Sequence, residues 1–233
     1  MNVSRRAFIA SAALAPVACG IPLSYERGTP IAQPNPLPVV RPPQVGQEWT
    51  YVKRDVFNGK TLGLITERIA KIGSSIVIDR VSADGLVLPS EIQSSWGMAL
   101  TDPEWPRVLH FNPPVPLWPQ ELSSKWNKQI ETHYTLGDLS DSRLGWQEYM
   151  SAQGWEKITV PAGTFVALRF QALINYESDD ANKVDCIHKE TVWFAPEIGR
   201  WVAREASGSY QIQGQVGAVI EEGSYQWQLT AYK

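Results

Sequence analysis

Residues 155–176, WEKITVPAGTFVALRFQALINY, contain two runs rich in β-branched and aromatic residues, separated by Pro161, Ala162 and Gly163. Apolar residues with a period of two are typical of a half-buried strand, and a proline closely followed by glycine favours a tight turn. We therefore predict that a strand over 155–160 reverses at 161–163 into a strand over 165–176. Strands joined by such a short turn run antiparallel.

The same pattern recurs on both sides of this hairpin. Ala152, Gln153 and Gly154 separate the strand over 155–160 from one over 145–151, and we interpret them as another short hairpin turn. After residue 18, no segment has a sustained 3.6-residue apolar repeat with caps at both ends. The sequence thus predicts one all-β domain over 45–233 with little helix, an antiparallel meander that forms a curved sheet, a sandwich or a barrel-like domain. The other predicted strands lie near 46–52, 62–72, 75–81, 86–88, 125–135, 184–195, 200–210 and 224–232.

Residues 101–119 contain six prolines, which neither a central strand nor a helix tolerates, so we predict a long loop there. Exposed tryptophan faces bind sugar rings, peptide prolines or acyl chains. The candidate binding residues are therefore the aromatic residues in and beside this loop: Trp96, Trp105, Phe111 and Trp118. In the alternative interpretation, the same side chains fill one end of the sheet.

The usual catalytic and metal-binding motifs are absent from the sequence. One local group stands out, because alternation along a strand would place Cys186, His188 and Glu190 on one face. These residue types serve as metal ligands, or as a nucleophile, a base and an orienting carboxylate. A solvated surface strand is the simpler interpretation. We therefore assign no catalytic residue, metal or cofactor, and expect the protein not to be an enzyme.

The overall charge argues against one class of partner. The chain has 21 Lys and Arg against 24 Asp and Glu, a formal net charge of −3 at pH 7. A nucleic-acid backbone would be repelled, so we expect no nucleic-acid partner. The ten tryptophans are many for 233 residues, and each must be buried or used on a surface.

The first 18 residues have the features of a signal peptide. Ser4-Arg5-Arg6, with Phe8 two residues later, resembles the twin-arginine export motif, and the apolar run over 7–18 is too short to span a bilayer. Residues 15–19, APVAC, resemble the lipobox of bacterial lipoproteins, although Pro16 departs from the usual leucine. The resemblance implies that Cys19 is acylated and becomes the new amino terminus.

Residues 19–44 predict how the protein is attached to the membrane. Residues 20–43 contain seven prolines, so we predict that 19–44 form an extended, solvated tether. The membrane is then a partner through the acyl anchor at Cys19, and the default expectation is the outer membrane, facing the periplasm. The alternative is a plain secreted protein, cut near Ala18, with Cys19 free or paired to Cys186.

Two motifs resemble those of an uncharacterised family of β-rich exported bacterial proteins and lipoproteins. The first is ITVPAGTF at 158–165, followed by Ala-Leu-Arg at 167–169, and the second is VWFAPEIGRWVARE at 192–205. The resemblance implies a fold and an envelope location, without an activity or catalytic residues. In physical terms both motifs contain turns between strands, with Gly199 free to adopt a positive φ.

Together these features predict a non-enzymatic envelope lipoprotein whose β-domain binds a partner protein or an amphiphilic ligand near the membrane. A cell-wall or carbohydrate-binding module that uses the tryptophan-rich segment 96–118 is the first alternative. A hydrolase with an unrecognised site near His188 is the second.

Overall fold

The computed structural model describes residues 28–137, 139–215 and 217–233, with the backbone alone for 139–141. The predicted signal peptide, Cys19 and the first part of the predicted tether lie outside the described residues. Within those residues, no helix is long and apolar enough to cross a membrane.

The described ranges form thirteen strands. They are β1 (Thr29–Ile31), β2 (Glu48–Asp55), β3 (Thr61–Ile72), β4 (Ile76–Ser82), β5 (Val87–Ser95), β6 (Met98–Asp102), β7 (Leu109–Pro116), β8 (Asn127–Leu136), β9 (Leu139–Val160), β10 (Gly163–Tyr176), β11 (Lys183–Ala195), β12 (Arg200–Ile212) and β13 (Val219–Tyr232).

Strands β2 to β13 form a closed antiparallel barrel. Each pairs with the next along the chain, and β13 pairs back onto β2, as in the register of Trp227 with Lys53. Strand β1 lies outside this ring and pairs with β9. Closure satisfies the backbone hydrogen bonds that an open sheet would leave at its edges. The predicted all-β antiparallel meander with a barrel-like domain is confirmed.

Strand β9 differs from the prediction, because residues 145–160 form one continuous strand instead of a hairpin. Arg169 pairs with Gly154 while Phe170 pairs with Ala152, so Gln153 is left out of the register. Gly154 has a φ of 125°. The glycine therefore makes a β-bulge that bends the strand, and the predicted turn at 152–154 is wrong.

The proline-rich segment 101–119 is also more regular than predicted, since it includes the end of β6 and all of β7. Strand β7 pairs with β8 through 109–111 and with β6 partly through 115–116. Pro113 and Pro114 lie between these paired stretches, where no backbone N–H is required. The prediction of one long loop was wrong because the prolines occupy the unpaired positions of a strand.

The described part of the predicted tether, residues 28–44, contacts the barrel. Strand β1 pairs with β9, and the backbone N–H of Arg41 donates to the carbonyl of Pro196 at 2.8 Å. The Arg41 carbonyl accepts a hydrogen bond from Trp96 Nε1 at 3.2 Å. An extended backbone keeps its donors and acceptors available, and here they bond to the barrel, so the prediction of a solvated tether is wrong for these paired residues.

Both motif turns lie where the sequence placed them, at 161–162 and at 196–199. Gly199 has a φ of 68°, and a Cβ there would lie 2.6 Å from the Arg41 carbonyl oxygen. Only glycine fits this turn, because the incoming N-terminal segment crosses it in close contact.

Because the strands alternate in direction, the connections fall at two ends of the barrel. We call the end with the 161–162 and 196–199 turns the closed end, and the other the open end. At the closed end, Trp96 packs on Trp49 and Trp118, with ring centroids 6.2 and 5.2 Å apart. Trp118 in turn stacks on Phe194 at 4.8 Å, so aromatic rings fill this end.

A candidate ligand cavity at the open end

A cavity of about 620 Å³ lies within the open half of the barrel. Its walls come from β2 to β5 on one side and from β11 to β13 on the other, and residues 103–106 of the β6–β7 loop border it. Its volume is within the range of small-molecule sites, roughly 300–1,000 Å³. The fold therefore offers room for a ligand at this end.

Strand alternation explains why a lysine faces this cavity. Trp49 and Tyr51 on β2 point into the core, each about 1% exposed, and Lys53 is the next residue on the same face. The register places Lys53 beside Trp227 of β13, and Trp227 beside Arg204 of β12. Three neighbouring strands thus place a lysine, an indole and a guanidinium side by side.

Lys53 is held by aromatic rings. Its Nζ lies 4.5 Å from the ring centroid of Tyr225 and 4.7 Å from that of Trp227, and it forms no ion pair with a described carboxylate. Burial, with the positive charges of Arg204 and Arg80, lowers the pKa of Lys53 to about 8. The ring faces compensate in part for the water that the ammonium loses.

The other cationic side chains of the cavity have carboxylate partners. Arg204 binds Glu190 through Nη2 and Nε, at 2.5 and 3.2 Å, and His188 Nε2 lies 3.0 Å from the same carboxylate. Burial alone would raise the pKa of Glu190, but Arg204 and His188 outweigh it and lower this pKa to about 2. Arg80 pairs with Glu104. Lys53 therefore stands out as the unneutralised cation.

The closed half contains a different group of charges. Arg200, 1% exposed, binds Glu67 through Nε and Nη2 at 3.1 and 2.8 Å, and Glu91 through Nη1 and Nη2 at 3.0 and 2.6 Å. Gln93 Nε2 donates to Glu91 at 2.5 Å. Every charge in this group has an opposite partner, which is the arrangement that buried charges need.

Between the two halves lies a smaller cavity of about 60 Å³. Burial raises the pKa of Glu148, which lines it, to about 8, and that of Asp102 to about 6. Trp146 Nε1 donates to Glu148 Oε2 at 3.2 Å. Glu148 is therefore mostly protonated at neutral pH, and the space would hold a few water molecules at most.

The four candidate binding residues do not form one surface. Trp105 borders the large cavity and contacts His188, with ring centroids 4.4 Å apart. Phe111 is 3% exposed and packs inside the barrel, whereas Trp96 and Trp118 belong to the closed-end cluster. The alternative, in which the side chains fill one end of the sheet, describes Trp96 and Trp118.

Cys186, His188 and Glu190 share one strand face, as the alternation predicts, but that face points into the barrel. Cys186 is a free thiol, 3% exposed, and burial raises its pKa. The prediction of a solvated surface strand was wrong, because a closed barrel buries one whole face of every strand. Among the described residues, no group of three His, Cys, Asp or Glu could hold a metal ion.

Sequence reasoning missed the residues that shape the cavity: Lys53, Arg80, Arg204, Tyr225 and Trp227. Alternation along β2 could have placed Lys53 on the inner face. Its neighbours could not be found in this way, because they depend on the register of β13 against β2 and of β12 against β13.

Comparison with known proteins supports the fold alone. Neither a scan against protein families nor a search of curated proteins gave a match. A crystal structure from Parabacteroides distasonis ATCC 8503, of a protein provisionally described as a lipoprotein, is similar with a TM-score of 0.53 and 14% identity, over 84% of this chain and 99% of that one. A provisionally described exported protein of Bacteroides fragilis NCTC 9343 with a YmcC-like fold gives 0.48 at 14% identity, over 84% and 99%. The hypothetical lipoprotein YmcC of Escherichia coli K12 gives 0.44 at 10%, over 79% and 83%.

Proposed function

We propose that the protein is a bacterial envelope lipoprotein that binds a small amphiphilic ligand in the open half of its barrel. The cavity of about 620 Å³ carries the proposal. Ile65, Leu88, Trp105 and Trp227 give it apolar surface, and Lys53 gives it a charge at one place. A largely apolar pocket with a few polar groups is the usual design of a small-molecule site.

The envelope location rests on other observations. The signal-like residues 1–18 and the lipobox-like residues 15–19 support export and an anchor at Cys19. The similar structure from P. distasonis is itself provisionally described as a lipoprotein. We propose the outer membrane, facing the periplasm, as the site of anchoring.

The point where the chain enters the barrel determines which end an anchor at Cys19 would hold toward the membrane. Strand β1 pairs Thr29 with Lys157, close to the 161–162 turn of the closed end. An acylated Cys19, with the nine residues 20–28 between it and Thr29, would thus hold the closed end toward the lipid. The cavity would open away from that membrane, so its ligand would arrive from the periplasm.

Two other functions receive less support from the geometry. A carbohydrate-binding surface needs exposed aromatic faces, but Trp118 and Phe111 are each 3% exposed. A hydrolase near His188 would need an activated nucleophile, and burial raises the pKa of the Cys186 thiol and so keeps it protonated. We therefore propose a binding protein that is not an enzyme.

The proposal is tested by filling the cavity. Ala206 is buried on its wall, so Ala206→Leu should occupy part of the space and weaken binding of laurate at least ten-fold, followed by intrinsic tryptophan fluorescence. Gln226→Leu, next to Trp227 but on the opposite face of β13, is the matched control and should bind as the parent does. Failure of the parent protein to bind laurate or any other single-chain amphiphile would refute the proposal.

A further inference from the structure

We infer that the ligand is a single-chain amphiphile with an anionic head group, a carboxylate or a phosphate, that pairs with Lys53. The inference rests on the proposed function, since it concerns the ligand of the same cavity. It goes further by assigning the charge of the head group and the residue that recognises it.

Lys53 differs from the other charged residues around the cavity because it has no partner of opposite charge in the described part of the chain. The carboxylates that border the cavity already have cationic partners, because Glu104 pairs with Arg80 and Glu222 with Lys183. Arg204 is neutralised by Glu190. Lys53 remains as the cation of the cavity wall without a carboxylate partner among the described residues. A bound anion would neutralise it in a partly desolvated place, where a charge-assisted hydrogen bond is strong.

The cavity wall also offers hydrogen-bond donors to a ligand. Trp227, a residue of the cavity wall, has a buried Nε1 without a hydrogen-bond partner among the described residues. The indole N–H is a donor, as is the Lys53 ammonium. Carboxylate and phosphate oxygens act as acceptors, so an anionic head group matches this wall, whereas a group with its own hydrogens matches it less well.

The cavity is poorly suited to a cationic head group. Aromatic rings in a pocket often bind a cationic ligand such as a quaternary ammonium. Here the ring faces are already taken, because Lys53 lies over Tyr225 and Trp227 and the Arg204 guanidinium lies 5.2 Å from the Trp227 ring. A cationic head group would find these positions occupied and would be repelled by their charges.

The test compares four probes with the same alkyl chain, below their micellar concentrations: laurate, dodecyl phosphate, dodecanol and dodecyltrimethylammonium. We expect the two anions to bind the parent protein at least ten-fold more tightly than dodecanol, and the cation to bind most weakly. The ratio of laurate to dodecyl phosphate affinity shows which of the two acids the cavity prefers.

Variants of Lys53 test whether this residue causes the preference for an anionic head group. In Lys53→Met the advantage of laurate over dodecanol should fall to about two-fold or less, whereas Lys53→Arg should retain it. Lys60→Met removes the same charge from an exposed position of the β2–β3 turn and should behave as the parent does. These comparisons use affinity ratios within one protein, so a modest loss of stability in a variant does not disturb them.

The outcomes separate the two claims. If dodecanol binds the parent as tightly as laurate, or if Lys53→Met keeps the preference, the anion inference is overturned while the proposed binding function stands. If none of the four probes binds, the proposed function itself fails.

Discussion

The two halves of the barrel interior differ in the surroundings of one cation in each, Arg200 in the closed half and Lys53 in the open half. In the closed half, Arg200 binds both Glu67 and Glu91, and its guanidinium lies 5.8 Å from the ring centroid of Trp49. In the open half, Lys53 has aromatic neighbours but no carboxylate partner among the described residues, and it faces a cavity. The same barrel thus contains a structural ion network in its closed half and, in its open half, a charge that is available to bind a ligand.

The largest effect is expected from breaking the closed-half network. Arg200→Met would leave Glu91 and Glu67 buried next to each other, with only Arg80 Nε, 3.7 Å from Glu67, still close by among the described residues, so we expect a loss of about 3–5 kcal/mol in the free energy of unfolding. Urea denaturation at pH 7 measures it. The control is Arg54→Met on β2, whose effect should stay within about 0.5 kcal/mol. A loss below about 1 kcal/mol for Arg200→Met would show that the network is not structural.

The next effect concerns Glu148, at the boundary of the two halves. Its pKa is about 8 in the folded protein against 4.5 as the ordinary value, so the folded state binds the proton more tightly. The stability it contributes is complete below pH 4.5 and is lost as pH rises through 8. Glu148→Gln should therefore match the parent near pH 5 and exceed it at pH 9 by about 2–3 kcal/mol.

The pH dependence of unfolding in urea measures this difference. Exposed Glu131→Gln is the control, and its stability curve should run parallel to that of the parent. Parallel curves for Glu148→Gln and the parent would mean that Glu148 is ionised in the barrel at neutral pH.

A smaller effect, of opposite sign to most substitutions, is expected at Lys53. Its pKa of about 8 lies below the ordinary 10.5, so the cost of holding its charge in the fold is full below pH 8 and is relieved as pH rises toward 10.5. Because the side chain is partly exposed and keeps its ring contacts, we expect Lys53→Met to gain only about 1 kcal/mol at pH 7. A loss of more than 1 kcal/mol in thermal unfolding would make Lys53 a structural residue.

The smallest effect is expected at the surface. Lys233 Nζ lies 3.1 Å from Glu48 Oε2, with the lysine side chain 69% exposed. Since exposed ion pairs contribute about 0–1 kcal/mol, Lys233→Ala should change stability by less than about 0.5 kcal/mol in the same urea assay. A larger change would mean that ion pairs outside the barrel matter as much as those inside.

The sequence predicted the fold class well because the alternation of apolar and polar residues along β10 to β13 is a local property that does not depend on the register between strands. It failed at 152–154 and 101–119, where the outcome depends on pairing. Gly154 makes a bulge in place of a turn, and Pro113 and Pro114 fit a strand at its unpaired positions. Such features depend on the partner strand, which a single sequence does not reveal.

The candidate site was predicted only in part. Trp105 lies at the cavity, but Trp96, Phe111 and Trp118 pack elsewhere, because the sequence does not show which aromatic side chains the barrel encloses. Cys186, His188 and Glu190 were correctly placed on one face, and closure of the sheet turned that face inward. Lys53 passed unnoticed because its chemistry arises from residues on β12 and β13.

The most direct test of the central claim follows the indole N–H signals of nitrogen-15-labelled tryptophan during titration with laurate, assigned by single Trp→Phe variants. The proposed division of the barrel predicts that Trp105 and Trp227 shift, while Trp49 and Trp118 at the closed end stay in place. Shifts confined to Trp49 and Trp118, or no shift at Trp105 and Trp227 at saturating laurate, would contradict it.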